Sequence, residues 1–132
     1  MTSQPRGYRK ILGRRGEETA ERFLRDIGYQ ILQRNFQVRE GEIDLIAKAD
    51  NMLVFVEVKT GRSDAFGHPA DRVDENKQRR MIRAAAAYLQ QQEREDTDCR
   101  FDVIAVRIVK GGPVVEHIKD AFQVEQDDPE CS

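Results

Sequence analysis

The sequence has no tryptophan and only two cysteines, Cys99 and Cys131, with no CxxC spacing and no histidine close by. A disulfide framework and a thiolate zinc site are therefore not indicated. A surplus of one charge is missing as well: 22 Lys and Arg face 24 Asp and Glu, for a formal net charge of −2, so bulk charge does not announce a polyanion partner. No apolar run approaches the roughly 20 residues needed to span a bilayer, and the N-terminal stretch is polar where a signal peptide would be apolar. A cytoplasmic protein without a membrane segment is expected. There is no glycine-rich phosphate loop, since Gly111-Gly112 reads as a hairpin turn, and no serine or cysteine stands in the setting of an activated nucleophile. His68 and His117 are isolated in sequence, so a hydrolase triad is not supported.

What is present is enough chain for one domain: 132 residues, able to bury about two thirds of their unfolded surface. Residues 1–10 form a basic N-terminal arm, and the positive charge runs on through Arg14 and Arg15. Residues 123–132 form an acidic tail, and 11–122 are expected to be the folded unit. Ala20, Phe23, Leu24 and Ile27 recur at helical spacing before Gly28, predicting a helix over Arg14 to Ile27. Three strand-like runs follow, Ile31 to Val38, Glu42 to Lys48 and Leu53 to Lys59, broken at Gly41 and Ala49-Asp50-Asn51, and predict an antiparallel meander. Thr60 to Arg72 has no period and reads as a long loop. Asp74 is a good N-cap for a second helix to about Gln92, with Met81, Ile82, Ala85, Tyr88 and Leu89 as its inward stripe. Phe101 to Ile108 and Val114 to Ile118 complete an α/β domain of order α-β-β-β-α-β-β.

The third strand carries the sharpest chemical signal. Side chains alternate along a strand, so Glu57 and Lys59 share a face about 7 Å apart while Val54, Val56 and Val58 cover the other. Charges on so apolar a strand cost several kcal/mol unless they are paired or bind an ion; the alternative is a weak exposed pair where the strand emerges into water. The preceding strand places Ile43, Leu45 and Ala47 on one face and Glu42, Asp44 and Ile46 on the other. If the two strands pair as a hairpin, Asp44 faces Glu57 across the ladder. Two such carboxylates repel, and a divalent cation relieves the repulsion, carboxylate oxygen and water being the ligands Mg²⁺ prefers. An Asp-Lys-Glu network neutralised at a sheet edge would satisfy the same residues. Glu17 lies at the edge of the first helix's inward stripe and can add a carboxylate, or it can simply favour the positive end of the helix dipole. Glu18 and Glu21 read as solvated surface. For phosphate contacts the candidates are Arg14, Arg15, Arg62, Lys77 and Arg80, with Arg79 and Arg83 beside them. Such clusters neutralise backbone charge without reading bases, although a charge run is usually a solvated face.

The wider text is more specific: Gly16-Glu17, Gly28-Tyr29, Arg34-Asn35, Gly41-Glu42-Ile43-Asp44-Leu45-Ile46, Phe55-Val56-Glu57-Val58-Lys59-Thr60, Lys77, Arg100-Phe101-Asp102 and Ala121-Phe122. The Asp44…Glu57-Val58-Lys59 arrangement resembles the PD-(D/E)xK nuclease signature, and together these segments are similar to the YraN family of nuclease-like bacterial proteins, relatives of archaeal Holliday junction resolvases. The resemblance implies a restriction-endonuclease-like fold, a mixed central sheet flanked by helices, and a Mg²⁺ or Mn²⁺ site. It implies Asp44, Glu57 and the Val58 carbonyl as metal ligands, Glu17 as accessory carboxylate and Lys59 as catalytic lysine. It also implies DNA, branched or recombining, as substrate, a homodimer, and recombination or repair proteins as partners. One departure stands out: the arginine that often follows the Lys-Thr pair is replaced by Gly61, with Arg62 next. Two functions are expected to compete, a metal-dependent DNA endonuclease and a junction- or recombination-protein-binding module without cleavage. No sequence feature separates DNA from RNA.

Overall fold

The computed structural model describes residues 8–62, 73–94 and 96–124. Residues 63–72 with His68, where a loop is expected, most of the N-terminal arm and the acidic tail from Glu125 lie outside the described residues, as does the side chain of Arg62. Helix α1 (Tyr8–Asp26) is followed by strands β1 (Gln30–Val38), β2 (Gly41–Ala49) and β3 (Met52–Arg62), helix α2 (Glu75–Gln91), and strands β4 (Cys99–Val109) and β5 (Gly112–Phe122). The expected element order and α/β class are those observed. The five strands form one sheet in sequence order, antiparallel except at β3–β4, where α2 carries the chain across to a parallel neighbour. The sheet is therefore mixed, with a helix on each face.

Local chemistry explains the ends of the elements. Gly28 (φ +95°) closes α1 in a Schellman turn, with Tyr29 N–H donating to the Leu24 carbonyl at 2.9 Å and Gly28 N–H to the Arg25 carbonyl at 3.0 Å. Asp74 caps α2, its carboxylate accepting from Lys77 N–H at 2.8 Å. The first helix begins at Tyr8 rather than Arg14, so the last residues assigned to the arm are helical in backbone. In these added turns Ile11 is 56 % exposed.

Alternation along the central strands divides the core. Leu45, Ala47, Val54, Val56, Ile104 and Val106 meet Ala20 and Leu24 of α1 on one face. Ile43, Ile46, Leu53, Phe55, Phe101 and Val103 meet Met81, Ala84, Ala85 and Tyr88 of α2 on the other. Two glycines let the helices approach closely. A Cβ on Gly16 would overlap Thr60 of β3, lying 2.8 Å from its Cβ, which excuses a glycine within a helix. A Cβ on Gly41 would run into the Arg80 backbone of α2, lying 2.8 Å from its carbonyl carbon. Neither the strand nor the helix backbone can yield cheaply, so Gly41→Ala is expected to cost about 1–3 kcal/mol by overpacking. Urea denaturation checks this, and an unchanged midpoint would mean that α2 is not seated on Gly41.

Candidate active site

The site lies where β2 and β3 part. Their ladder runs from Ala49↔Met52 to Leu45↔Val56 and stops, while β3 continues to Arg62 against β4 alone. Asp44 would be next in register opposite Glu57, but its Oδ2 instead accepts the Val58 N–H at 2.8 Å, replacing a ladder bond with a carboxylate. Across the other edge of β2, Asn35 adopts φ +51°, and no pairing is made between Arg34↔Leu45 and Phe36↔Ile43. Both strands change face at this point. Ile43 packs with Ile46 on the α2 side, not with Leu45 and Ala47 as regular alternation predicts. This is a correction to the face assignment, and its cause is the local break in the ladder, since a one-residue irregularity resets the period of two.

Glu57 points from β3 into the crevice and is 4 % exposed, so the reading of a strand emerging into water fails. Val54, Val56 and Val58 cover the opposite, α1-facing side, as expected. Two ammonium groups face the Glu57 carboxylate: Lys59 Nζ lies 3.6 Å from Oε1 and Lys77 Nζ 3.6 Å from Oε2. Lys77 is also 3.6 Å from Glu42 Oε1 at the rim. None of these is a hydrogen bond, and Glu57 Oε2 is buried with no hydrogen-bond partner among the described residues. Burial, with the charge of Asp44 adding to it, pushes the Glu57 carboxyl up to about 7, against the pull of Lys77 and Lys59. Burial also raises Asp44, opposed by the Val58 N–H and by both lysines. Glu17 is raised by burial and then by Asp44, and a hydrogen bond from Asn35 draws it back. Asp44 thus acts on both Glu17 and Glu57.

The structure accordingly brings Glu17, Asp44, Glu57, Val58, Lys59 and Lys77 to one crevice, with Glu42 and Asn35 added to those the sequence singled out. Arg14 lies close enough to Glu17 to lower its pKa, and Arg15 is exposed on the same helix. Arg80 is exposed, while Lys77, expected in a phosphate-binding surface, is turned into the carboxylates. Among the described residues no three acidic, histidine or cysteine side chains form a ready-made metal cage. The donor chemistry nonetheless fits a hard divalent ion: the buried Glu57 carboxylate, whose Oε2 has no hydrogen-bond partner among the described residues, the partly buried Asp44 carboxylate, and the backbone carbonyl between Glu57 and Lys59.

Two expectations from sequence are corrected away from the crevice. Glu21 is not solvated surface: its side chain is 18 % exposed and accepts from both Nε and Nη2 of Arg34, the latter at 2.9 Å, tying β1 to α1. His117 is not isolated. Its Nε2 lies 2.7 Å from Oδ2 of the fully buried Asp102, which also takes two bonds from Arg100, at 2.8 and 2.9 Å, and the Asp120 N–H at 3.0 Å. Arg100 reaches on to the Tyr29 hydroxyl at 2.8 Å, just past the end of α1. Burial pushes the Asp102 carboxyl up, but the bonds from His117, Arg100 and Asp120 outweigh it and hold it below the ordinary aspartate range.

The fold is a mixed five-stranded α/β sheet between two helices, with carboxylates and lysines gathered where its central strands part. Residues 16–106 match the model of the uncharacterised protein family UPF0102, and the chain belongs to that family, which is the YraN family its motifs resemble. A UPF0102 protein of Chlorobium chlorochromatii is 50 % identical over 121 residues, covering 87 % of this chain and 93 % of that one. Those of Geobacter sulfurreducens and Geotalea daltonii are each 44 % identical, covering 89 % and 94 % of this chain and 92 % and 98 % of theirs. Among solved structures, Pyrococcus furiosus SfsA in complex with Ca²⁺ aligns with 87 % of this chain at a TM-score of 0.40 and 13 % identity, and the alignment covers 65 % of the SfsA chain. Among the described residues no helix is long and apolar enough to cross a membrane.

Proposed function

We propose that the protein is a divalent-metal-dependent endonuclease that hydrolyses DNA phosphodiesters at branched or recombination intermediates. One observation carries the reading: Asp44 and Glu57 converge where β2 and β3 part, with Oε2 of Glu57 buried and without a hydrogen-bond partner among the described residues, and Lys59 beside it. Asp44, Glu57 and the Val58 carbonyl would hold Mg²⁺ or Mn²⁺, and Glu17 would approach through Asp44. When bound, the ion supplies Lewis acidity toward a phosphodiester and its attacking water. Lys59 directs its ammonium along the same face as Glu57, where it can stabilise charge building on the phosphate oxygens. Val58 N–H fixes one Asp44 oxygen, so the carboxylate is oriented before any ligand arrives. Arg14, close to Glu17, and the exposed Arg15 and Arg80 would suit contacts to the phosphate backbone, which favour shape over sequence, and Arg62 is proposed for the same role.

A specific observation favours a second reading, a DNA-junction or recombination-protein-binding module without cleavage: two lysines already neutralise Glu57, and the described residues hold no closed metal cage. One comparison separates the two. Linear, nicked, flapped and four-way DNA are incubated with and without Mn²⁺, alongside Asp44→Ala and Lys59→Ala. The endonuclease reading expects metal-dependent cutting of branched DNA that both variants lose. Tight binding of four-way DNA with no cutting under any condition would establish the module instead. A homodimer and association with recombination or repair proteins accompany either reading as proposals.

A further inference from the structure

Lys77 is the residue whose position the proposed chemistry leaves unexplained. A lysine serving DNA should face solvent, yet its side chain is only 23 % exposed and lies against the buried Glu57 carboxylate. Its backbone is fixed by the Asp74 cap in the first turn of α2, so the ammonium moves only by swinging its own stem. It stands 3.6 Å from the buried Oε2 of Glu57, which has no hydrogen-bond partner among the described residues, too far to satisfy that oxygen and close enough to counter its charge. Lys59 already covers the other oxygen, Oε1. At the rim, the half-exposed Glu42 offers the same ammonium a second carboxylate at 3.6 Å.

We propose that Lys77 is a placeholder cation: in the metal-free protein its ammonium occupies the position from which a divalent ion would engage Glu57, and it withdraws toward Glu42 when that ion binds. The inference rests on the metal-site reading above and adds a competition to it. A lysine and a divalent ion cannot both lie against a single buried oxygen without strong mutual repulsion, and Glu42 makes the exchange inexpensive because the ammonium keeps one carboxylate as it leaves. The released ammonium then points to the mouth of the crevice, where a phosphate would lie. Lys77 thus couples metal binding to substrate charge, and it is a positioning residue rather than a catalytic one.

The test is Mn²⁺ binding to the full chain by titration calorimetry near neutral pH, comparing wild type, Lys77→Met and Asp44→Asn. An opposite charge at this range changes the affinity of a carboxylate for a proton by about one to three orders of magnitude, so Lys77→Met is expected to bind Mn²⁺ at least about tenfold more tightly than wild type. Asp44→Asn is expected to lose binding. A second measurement needs no variant: reductive methylation of wild type with and without saturating Mg²⁺, read by peptide mass spectrometry. Lys77 is expected to become more reactive with Mg²⁺, relative to the exposed Lys110 and Lys119. If wild type binds Mn²⁺ through Asp44 but Lys77→Met binds no more tightly and Lys77 reactivity is unmoved, the placeholder is overturned and the metal site stands. If neither wild type nor Lys77→Met binds Mn²⁺, the metal site itself falls and the placeholder with it.

Discussion

Replacing Asp102 by alanine is expected to lower the unfolding free energy by about 3 kcal/mol, the cost of leaving the part-buried Arg100 guanidinium, the His117 ring and the Asp120 N–H without their shared acceptor. Four polar groups converge on this carboxylate: Nε and Nη2 of Arg100, Nε2 of His117 and the N–H of Asp120. The Asp120 bond forms where β5 shifts register against β4 and Asp120 itself takes φ +53°, so the carboxylate replaces ladder bonds that the bulge removes. Through Arg100 the same group holds Tyr29, and the His117 ring packs edge-on against Phe23 and Tyr29 at centroid distances of 5.8 and 6.0 Å. The network thus fastens the C-terminal end of α1 to β4 and β5. In urea, with a slope of about 1–3 kcal/mol/M for a small domain, the midpoint should fall by at least about 1 M. Because the Asp102 carboxyl is held below its ordinary range, its contribution is present above the unfolded aspartate value and is lost as pH falls through the lower folded value. A shift under about 0.5 M would show that the network orders the surface without supporting the fold.

The second large effect runs in the opposite direction with pH. In the metal-free protein Glu57 keeps its proton up to about pH 7, whereas in the unfolded chain it releases it near 4.5. The folded value is raised, so the stabilising contribution is complete below about pH 4.5 and is lost as pH climbs through about 7. Each unit of difference is worth about 1.4 kcal/mol, which gives a loss on the order of 3 kcal/mol between those limits. Glu57→Gln is neutral throughout and should be more stable than wild type above pH 7 without metal, with a flatter profile from pH 5 to 7. Thermal denaturation of the two proteins across that range reads the difference directly. A site residue whose neutralisation stabilises the domain is one kept for something other than folding. Parallel profiles for the two proteins would mean that Lys59 and Lys77 fully offset the burial of Glu57.

The legible parts of this fold were those with a period or a local punctuation mark. The Asp74 cap, the stripe of Met81, Ala85 and Tyr88, the glycine after Ile27 and the β-branched run of β3 each state their structure within a few residues, and together they gave the element order. Glu57 and Lys59 were legible as a pair for the same reason, since a spacing of two on a strand is a statement about faces. Asp44 was legible as an anomaly, an acid inside an apolar strand, but its partner was not. The ladder ends at Leu45↔Val56, and Asp44 takes the Val58 N–H through its carboxylate, a contact no spacing announces. Lys77 read as surface because helical position alone does not reveal which neighbour an exposed-looking lysine leans on. The Asp102 network was hidden by distance: Tyr29 and Arg100 are 71 positions apart, and His117 and Asp102 are 15 apart on different strands.

The most direct test of the central claim, that Asp44 and Glu57 together form a pocket for one divalent ion, is the proton count of Mn²⁺ binding. Calorimetric titrations near pH 7 in two buffers of different ionisation enthalpy measure it, because an ion seated on Glu57 must expel the proton which that carboxyl holds there. Wild type should bind Mn²⁺ with release of a fraction of a proton that falls toward zero by pH 8.5; Glu57→Gln should show no release, and Asp44→Asn no binding. Binding that persists in both variants, with no change in proton release, would place the ion elsewhere and contradict the account.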